Sequence, residues 1–412
     1  MSLILGLLVL CWTHGGMKMN LLERAKKEQD WITKIRRDLH RMPEILLELP
    51  KTMDYIRSVL DSLGIGYTSL MDGNAVVATI EGAHPGKCIA IRADADALPV
   101  CEETGLPFAS ENGNMHACGH DSHVAIALGA AKMLVEEREK LHGTVKFLFQ
   151  PGEEFPGGAQ PMIDEGALEN PHVDRVIGLH GGCLFPVPHG KIGVKKGPMM
   201  ASMDRFKITV KGKGTHGATP QLGRDPIPCI AEIVGGVQKV VSRMVDPLES
   251  ALVSICQIHA GSTMNIIPEE AWLEGTVRTF SEEIRQLIAH DIQNIAHLIA
   301  RAYEMEAEIE YDFKYPVLVN DPAYTEAFAE RAKALLGDDH VVMLERPSLA
   351  GEDMAAFLRH AEGTFFTLSN AKTYPDGTVY PHHNPKFDLD EEKFYIGTAL
   401  FVMEAMHFLG AE

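Results

Sequence analysis

A two-unit α/β protein is what the sequence predicts, on three observations. Apolar, β-branched runs alternate with helical patterns over 75–180, which implies a sheet of parallel character covered by helices. From Ser202 the texture changes to one-by-one alternation, the period of a half-buried strand. The 412 residues also exceed what one hydrophobic core usually supports. The expected architecture is a mixed, largely parallel sheet flanked by helices, formed by 19–201 and 314–412, with a ferredoxin-like α+β unit inserted at 202–313.

Taken in order, 21–40 is helical, with Trp31, Ile35 and Leu39 on one face, and Pro43 ends it. A second helix over 52–63 closes at Gly64. Runs 75–80 and 88–92 read as strands, the latter leading into Asp94 and Asp96. After a loop, His116-Ala117-Cys118-Gly119-His120-Asp121 precedes a long apolar helix over 124–135. The strand 144–149 is stopped by Pro151 and Gly152, so Glu153 and Glu154 fall on the turn beyond it. A further strand, 175–179, ends at His180.

In the inserted unit, Phe206, Ile208 and Val210 alternate with Arg205, Lys207, Thr209 and Lys211. A helix near 226–244 follows, then strands 251–259 and 271–280. Ser281 opens a helix with Ile284, Ile288, Ile292, Ile295 and Ile299 as one stripe, and a strand at 307–311 closes the unit. That order is the split βαβ, ferredoxin-like arrangement. Helices at 322–336, 351–359 and from Glu391, with a strand at 364–368, belong to the first unit.

Composition narrows the function classes. Apolar content of 45% and charged content of 23% are those of an ordinary globular protein. A net charge of −19 argues against nucleic acid or an anionic membrane as partner. Seven scattered cysteines fit a reducing compartment better than a disulfide framework. The first 18 residues leave two readings open. The apolar run 3–12 has signal-peptide length, but no Lys or Arg precedes it. An over-read start before Met17-Lys18-Met19 is the favoured reading, and with it a cytoplasmic location; secretion is the other.

The chemistry gathers at strand ends, where open α/β sheets bind their ligands. Asp94, Asp96, Glu153, Glu154 and His180 all fall there. A lone Glu-Glu pair reads as a solvated turn, and a lone His180 as a core histidine. Cys118 and His120 are two apart and face one way only on extended backbone, so the helix must start after them, with Asp121 or Ser122 as cap. Thiolate and imidazole together suit zinc and other borderline divalent ions. One of the tandem His382 and His383 could add a further ligand. Together these positions favour a metal centre over separate structural roles. Arg278 shares a strand face with Trp272, Glu274 and Thr276, opposite the more apolar face, and could clamp a carboxylate bidentately; Asn265 could assist, or be a turn residue.

From about Arg36 onwards the chain resembles the di-metal aminoacylase and carboxypeptidase family of metallopeptidases. The resemblance is closest to the branch of hippurate hydrolases, N-acyl-L-amino-acid amidohydrolases and auxin-conjugate (IAA-amino acid) hydrolases. It rests on ordered blocks: Arg37-Asp38-Leu39-His40, Arg92-Ala93-Asp94-Ala95-Asp96, His116-Ala117-Cys118-Gly119-His120-Asp121, Gln150-Pro151-Gly152-Glu153-Glu154 and Gly178-Leu179-His180. Further blocks are Gly214-Thr215-His216-Gly217, Asn265-Ile266-Ile267-Pro268, Gly275-Thr276-Val277-Arg278, Gly351-Glu352-Asp353 and His382-His383-Asn384-Pro385.

The resemblance implies metal ligands at Cys118, His120, Glu154, His180 and His383, with His382 as the alternative to His383. It implies Glu153 as catalytic base, Asp96 orienting a ligand imidazole, and His216 reaching over from a lid to the reacting carbonyl. The cofactors would be two divalent ions, zinc or manganese, with cobalt or nickel as alternatives. The partners would be a small N-acyl amino acid and a second copy of the chain, joined through the inserted unit. A dipeptidase or carboxypeptidase on the same fold, and a non-catalytic small-molecule binder, are the competing readings. Two departures, Met42-Pro43-Glu44 for the usual His-Pro-Glu and the segment 370–380, bear on the acyl pocket rather than the chemistry.

Overall fold

The structure, a computed structural model, describes residues 15–411. The apolar run 3–12 lies outside the described residues. Eight strands form the main sheet, in the spatial order Gly66–Leu70, Ala75–Glu81, His142–Gln150, His84–Asp94, Arg175–Gly182, Glu362–Ser369, Ile192–Val194, Val341–Met343. The four central strands run parallel to one another, and antiparallel pairings flank them, so the sheet is mixed.

Period-two alternation divides each central strand between two cores. Ile89, Ile91, Phe147 and Phe149 face helices Gln29–His40, His120–Glu136 and Phe394–Phe408. Cys88, Ala90 and Leu148 face the opposite side, with Met162 of Ala159–Asp164 and Phe357 of Met354–Leu358. Burial on both faces is why these strands read as continuous apolar runs.

The second sheet has four antiparallel strands in the order Ala251–Ala260, Glu270–Thr279, Met203–Lys211, Glu306–Tyr315. Helices Pro226–Val237 and Glu282–Ala302 close one face of it over a separate core that includes Phe206, Ile208, Val210, Ile288 and Ile292. Ser281 caps the second helix by accepting from the Ile284 amide, as the sequence predicts. Arg278 is half-buried on the face away from the helices, as the alternation requires.

Several expectations shift. The helix expected at 21–40 is two, Gly15–Lys27 and Gln29–His40, and the one at 226–244 breaks at Gln238. Helix 351–359 contracts to Met354–Leu358. The short strands Ile192–Val194 and Val341–Met343 carry too few residues for a periodic signal. The largest correction concerns helix His120–Glu136. It begins at His120 rather than after it, and its cap residue is Gly119, not Asp121 or Ser122. Gly119 takes φ of 89°, a left-handed turn open to glycine, and this bend lets Cys118 and His120 converge without extended backbone. Among the described residues no helix is long and apolar enough to cross a membrane. Cys88, Cys101, Cys118, Cys183, Cys229 and Cys256 are free thiols.

Candidate metal centre

The carboxyl ends of three neighbouring parallel strands deliver the polar groups. Strand His84–Asp94 ends at Asp94 with Asp96 two residues on, and His142–Gln150 leads into the Glu153 and Glu154 turn. Arg175–Gly182 places His180 near its end. The N-terminus of helix His120–Glu136 meets the same edge, and the loop carrying His382 and His383 approaches it from the C-terminal side.

Asp96 organises the turn. Its two oxygens accept the Glu153 and Glu154 amides, both at 3.0 Å, and Oδ1 lies 3.3 Å from His120 Nδ1. That leaves His120 Nε2 buried without a hydrogen-bond partner, 3.9 Å from Glu153 Oε2. His180 donates from Nδ1 to the Gly181 carbonyl at 2.7 Å, so the lone pair of its Nε2 faces Cys118 Sγ at 3.5 Å. Cys118, His120 and His180 offer donor atoms within 4.8 Å of one another, and so do Cys118, Glu154 and His383.

Two histidines compete for one place. His383 Nε2 is 3.1 Å from Glu154 Oε1. His382 Nδ1 is 3.7 Å from Cys118 Sγ, but its Nε2 accepts the Cys183 amide at 3.0 Å. Burial, with His383 nearby, holds His382 neutral at about 3, so the proton must sit on Nδ1 and no lone pair is left towards the sulfur.

The electrostatics fit a cation. Burial, then Glu154 and Glu153, push the Cys118 thiol well above its usual range. Against burial, Asp94, Asp96 and Glu154 raise His120 to about 10. The His120 shift records surplus negative charge beside the ring, while that of Cys118 is burial first, with the carboxylates adding to it. With His120 Nε2 buried and without a hydrogen-bond partner, this donor set suits a borderline divalent ion.

A cavity of about 340 Å³ opens on these groups. Its polar wall includes Cys118, Glu153, Glu154, His180, Glu352, His382 and His383; its apolar wall includes Leu184, Met200, Met203, Tyr315 and Ala350. His216, Asn265 and Arg278 are not among its lining. His216 and Asn265 lie exposed on the four-stranded unit, where His216 pairs with Ile266, and Arg278 bonds to Thr276 and Val277 of its own strand.

Sequence reasoning missed several neighbours. His123 joins Asp94 at 2.5 Å and the Gly181 amide at 2.8 Å, a role signalled by its spacing of three from His120 on one helix face. Arg92 is 1% exposed and reaches Asp94 at 2.8 Å, Asp353 at 2.7 Å and Glu352 at 3.0 Å. Glu352 was visible only inside a motif. The cavity positions of Met203 and Tyr315 carry no local signal.

Behind the centre, His40 bridges Asp121 at 2.6 Å and Glu102 at 3.2 Å. Burial alone would raise Glu102, but the hydrogen bond and charge of His40 hold it at about 2. A depressed carboxylate stabilises the fold above its unfolded value and loses that contribution as pH falls through the folded one. Urea unfolding should therefore show stability dropping between about pH 4.5 and pH 2, and Glu102→Gln should flatten that drop. An unchanged slope in the variant would contradict the pairing.

Side chains able to hold a metal converge on the carboxyl edge of a parallel sheet with an acid beside them, the arrangement of a metal-dependent hydrolase. Comparison with known proteins narrows it. Residues 90–406 match the model of Peptidase family M20/M25/M40, and the chain belongs to that family. It is 41% identical over 369 residues to an N-acetylcysteine deacetylase of Bacillus subtilis, covering 89% of this chain and 94% of the relative. It is 43% identical over 287 residues to an N-acyl-L-amino acid amidohydrolase of Geobacillus stearothermophilus, covering 69% and 76%. Among solved structures, the YXEP protein of Bacillus subtilis, described as a dinuclear metal binding peptidase from the M20 family, superposes with a TM-score of 0.80. That match has 37% identity and covers 94% of this chain and all of the other.

Proposed function

We propose that the protein hydrolyses the amide bond of N-acyl-L-amino acids, giving a carboxylic acid and a free amino acid. Two divalent ions, zinc or manganese, would be held by Cys118, His120, Glu154, His180 and His383. The observation that carries this reading is the convergence of Cys118, His120, His180, Glu154 and His383 beside Glu153, with His120 Nε2 buried and without a hydrogen-bond partner. Bound there, such ions polarise an amide carbonyl and lower the pKa of water.

The chain's own residues supply the rest. Burial, then Glu352 and Glu154, hold the Glu153 carboxyl well above the usual carboxylate range, and from its place beside the candidate ligands it would take the proton of the attacking water. As the C–O bond forms and the C–N bond breaks, the same group passes the proton to the leaving nitrogen. Asp96 keeps Glu153, Glu154 and the His120 ring in register. The Leu184, Met200 and Met203 wall receives the apolar part of the substrate.

His216, Asn265 and Arg278 would engage the substrate as part of a lid, His216 and Asn265 in the site of a second copy. Supporting this, both are exposed and stand outside the cavity of their own chain. The edge strand Ala251–Ala260 also leaves Leu252 and Ile258 uncovered, 39% and 52% exposed. The free thiols fit a cytoplasmic location.

The test is a metal-reconstituted panel of N-acetyl and N-benzoyl amino acids and dipeptides. N-acyl substrates should turn over faster than dipeptides. Chelation should abolish turnover and added zinc or manganese restore it. Preference for dipeptides would make the protein a peptidase on this fold; no turnover by metal-loaded protein would make it a binding relative.

A further inference from the structure

The chain enters the four-stranded unit at Met203 and leaves it at Tyr315, and these two residues face each other as register partners. Both line the cavity. Tyr315, 5% exposed, reaches further: its hydroxyl donates to the backbone carbonyl of Glu153 at 2.5 Å. Its ring lies against Gly157, where an added Cβ would stand 2.9 Å from Tyr315 Cε1 and where φ is 108°. Between these contacts, Phe155 receives two cations from the same pair of strands. Arg205 sits 5.0 Å and Lys314 5.7 Å from the centre of its ring.

The turn bearing Glu153 and Glu154 is thus gripped from two sides. Asp96 of the α/β unit holds its amides, Tyr315 at the end of the four-stranded unit holds its carbonyl and meets its glycine, and Arg205 and Lys314 hold its aromatic ring.

We propose that Tyr315 is a positioning residue, and that with Arg205 and Lys314 on Phe155 it ties the Glu153 turn to the orientation of the four-stranded unit. Rotation of that unit about Met203 and Tyr315 then moves the Glu153 carbonyl directly, so closure over a substrate and placement of the base are one event. The role of Glu153 as base rests on the function proposed above; the clamp itself does not.

The test compares Tyr315→Phe with Tyr311→Phe, which removes a hydroxyl bonded to Asp204 at 3.1 Å inside the four-stranded unit. Tyr315→Phe should bind the same amount of metal and lower kcat by about tenfold with KM within about twofold. It should also speed amide exchange over 150–158. Tyr311→Phe should do none of this. Phe155→Leu, which removes the ring between Arg205 and Lys314, should act in the same direction as Tyr315→Phe. Unchanged exchange over 150–158 in Tyr315→Phe overturns the clamp, and so does a kcat within about twofold of wild type. Wild-type protein inactive on the whole panel would count against the hydrolase reading alone, and the exchange result would still decide the clamp.

Discussion

Glu153→Ala is expected to keep its metal and lose about 10³-fold in kcat, the scale of a positioned general base. The carboxyl approaches His120 Nε2 at 3.9 Å, and the residue's amide, not its side chain, is the group bound by Asp96. The groups proposed to hold the ions belong to other residues, so metal content and unfolding midpoint should stay near wild type. Glu153→Gln should behave alike, since an amide fills the space but takes no proton. Turnover within about tenfold of wild type in either variant would remove Glu153 from the mechanism.

Arg92→Met is expected to be the most damaging change to stability. Arg92 is the cation among Asp94, Glu352 and Asp353, all of them buried, and it also binds Gln150 at 2.8 Å. Methionine preserves much of the volume and leaves the carboxylates without their partner. Breaking a buried ion pair from one side costs about 3–5 kcal/mol. Part of that cost is relieved if Glu352, already raised to about 7 by burial, stays protonated. Urea unfolding should show the loss, and the Asp94 to His123 contact should loosen with it. A loss under about 1 kcal/mol would mean the network is not a unit.

Legibility in the sequence tracked the range of the interactions. Alternation along 205–211 and 271–280 is local, and both strands came out with the predicted faces buried. Placement of Asp96, Glu153, Glu154 and His180 at strand ends needs only the run lengths and the stops at Pro151 and Gly152. The helix start failed by one residue type: Asp121 looks like a cap, but it is buried against Arg36 at 2.9 Å, and Gly119 does the capping through φ alone. The preference proposed here for His383 over His382 rests on the Cys183 amide, about 200 residues away, and no spacing rule reaches it. Tyr315 and Met203 matter because two strands of one sheet meet a turn of another. That coincidence exists only once the chain is folded.

Metal content measured on the reconstituted protein, read beside turnover, tests the central claim most directly. The account predicts two divalent ions per chain and hydrolysis of N-acyl amino acids that rises with loading, both lost when Cys118 and His120 are replaced together by alanine. A protein that retains no divalent ion, or a double variant that hydrolyses at the wild-type rate, would contradict it.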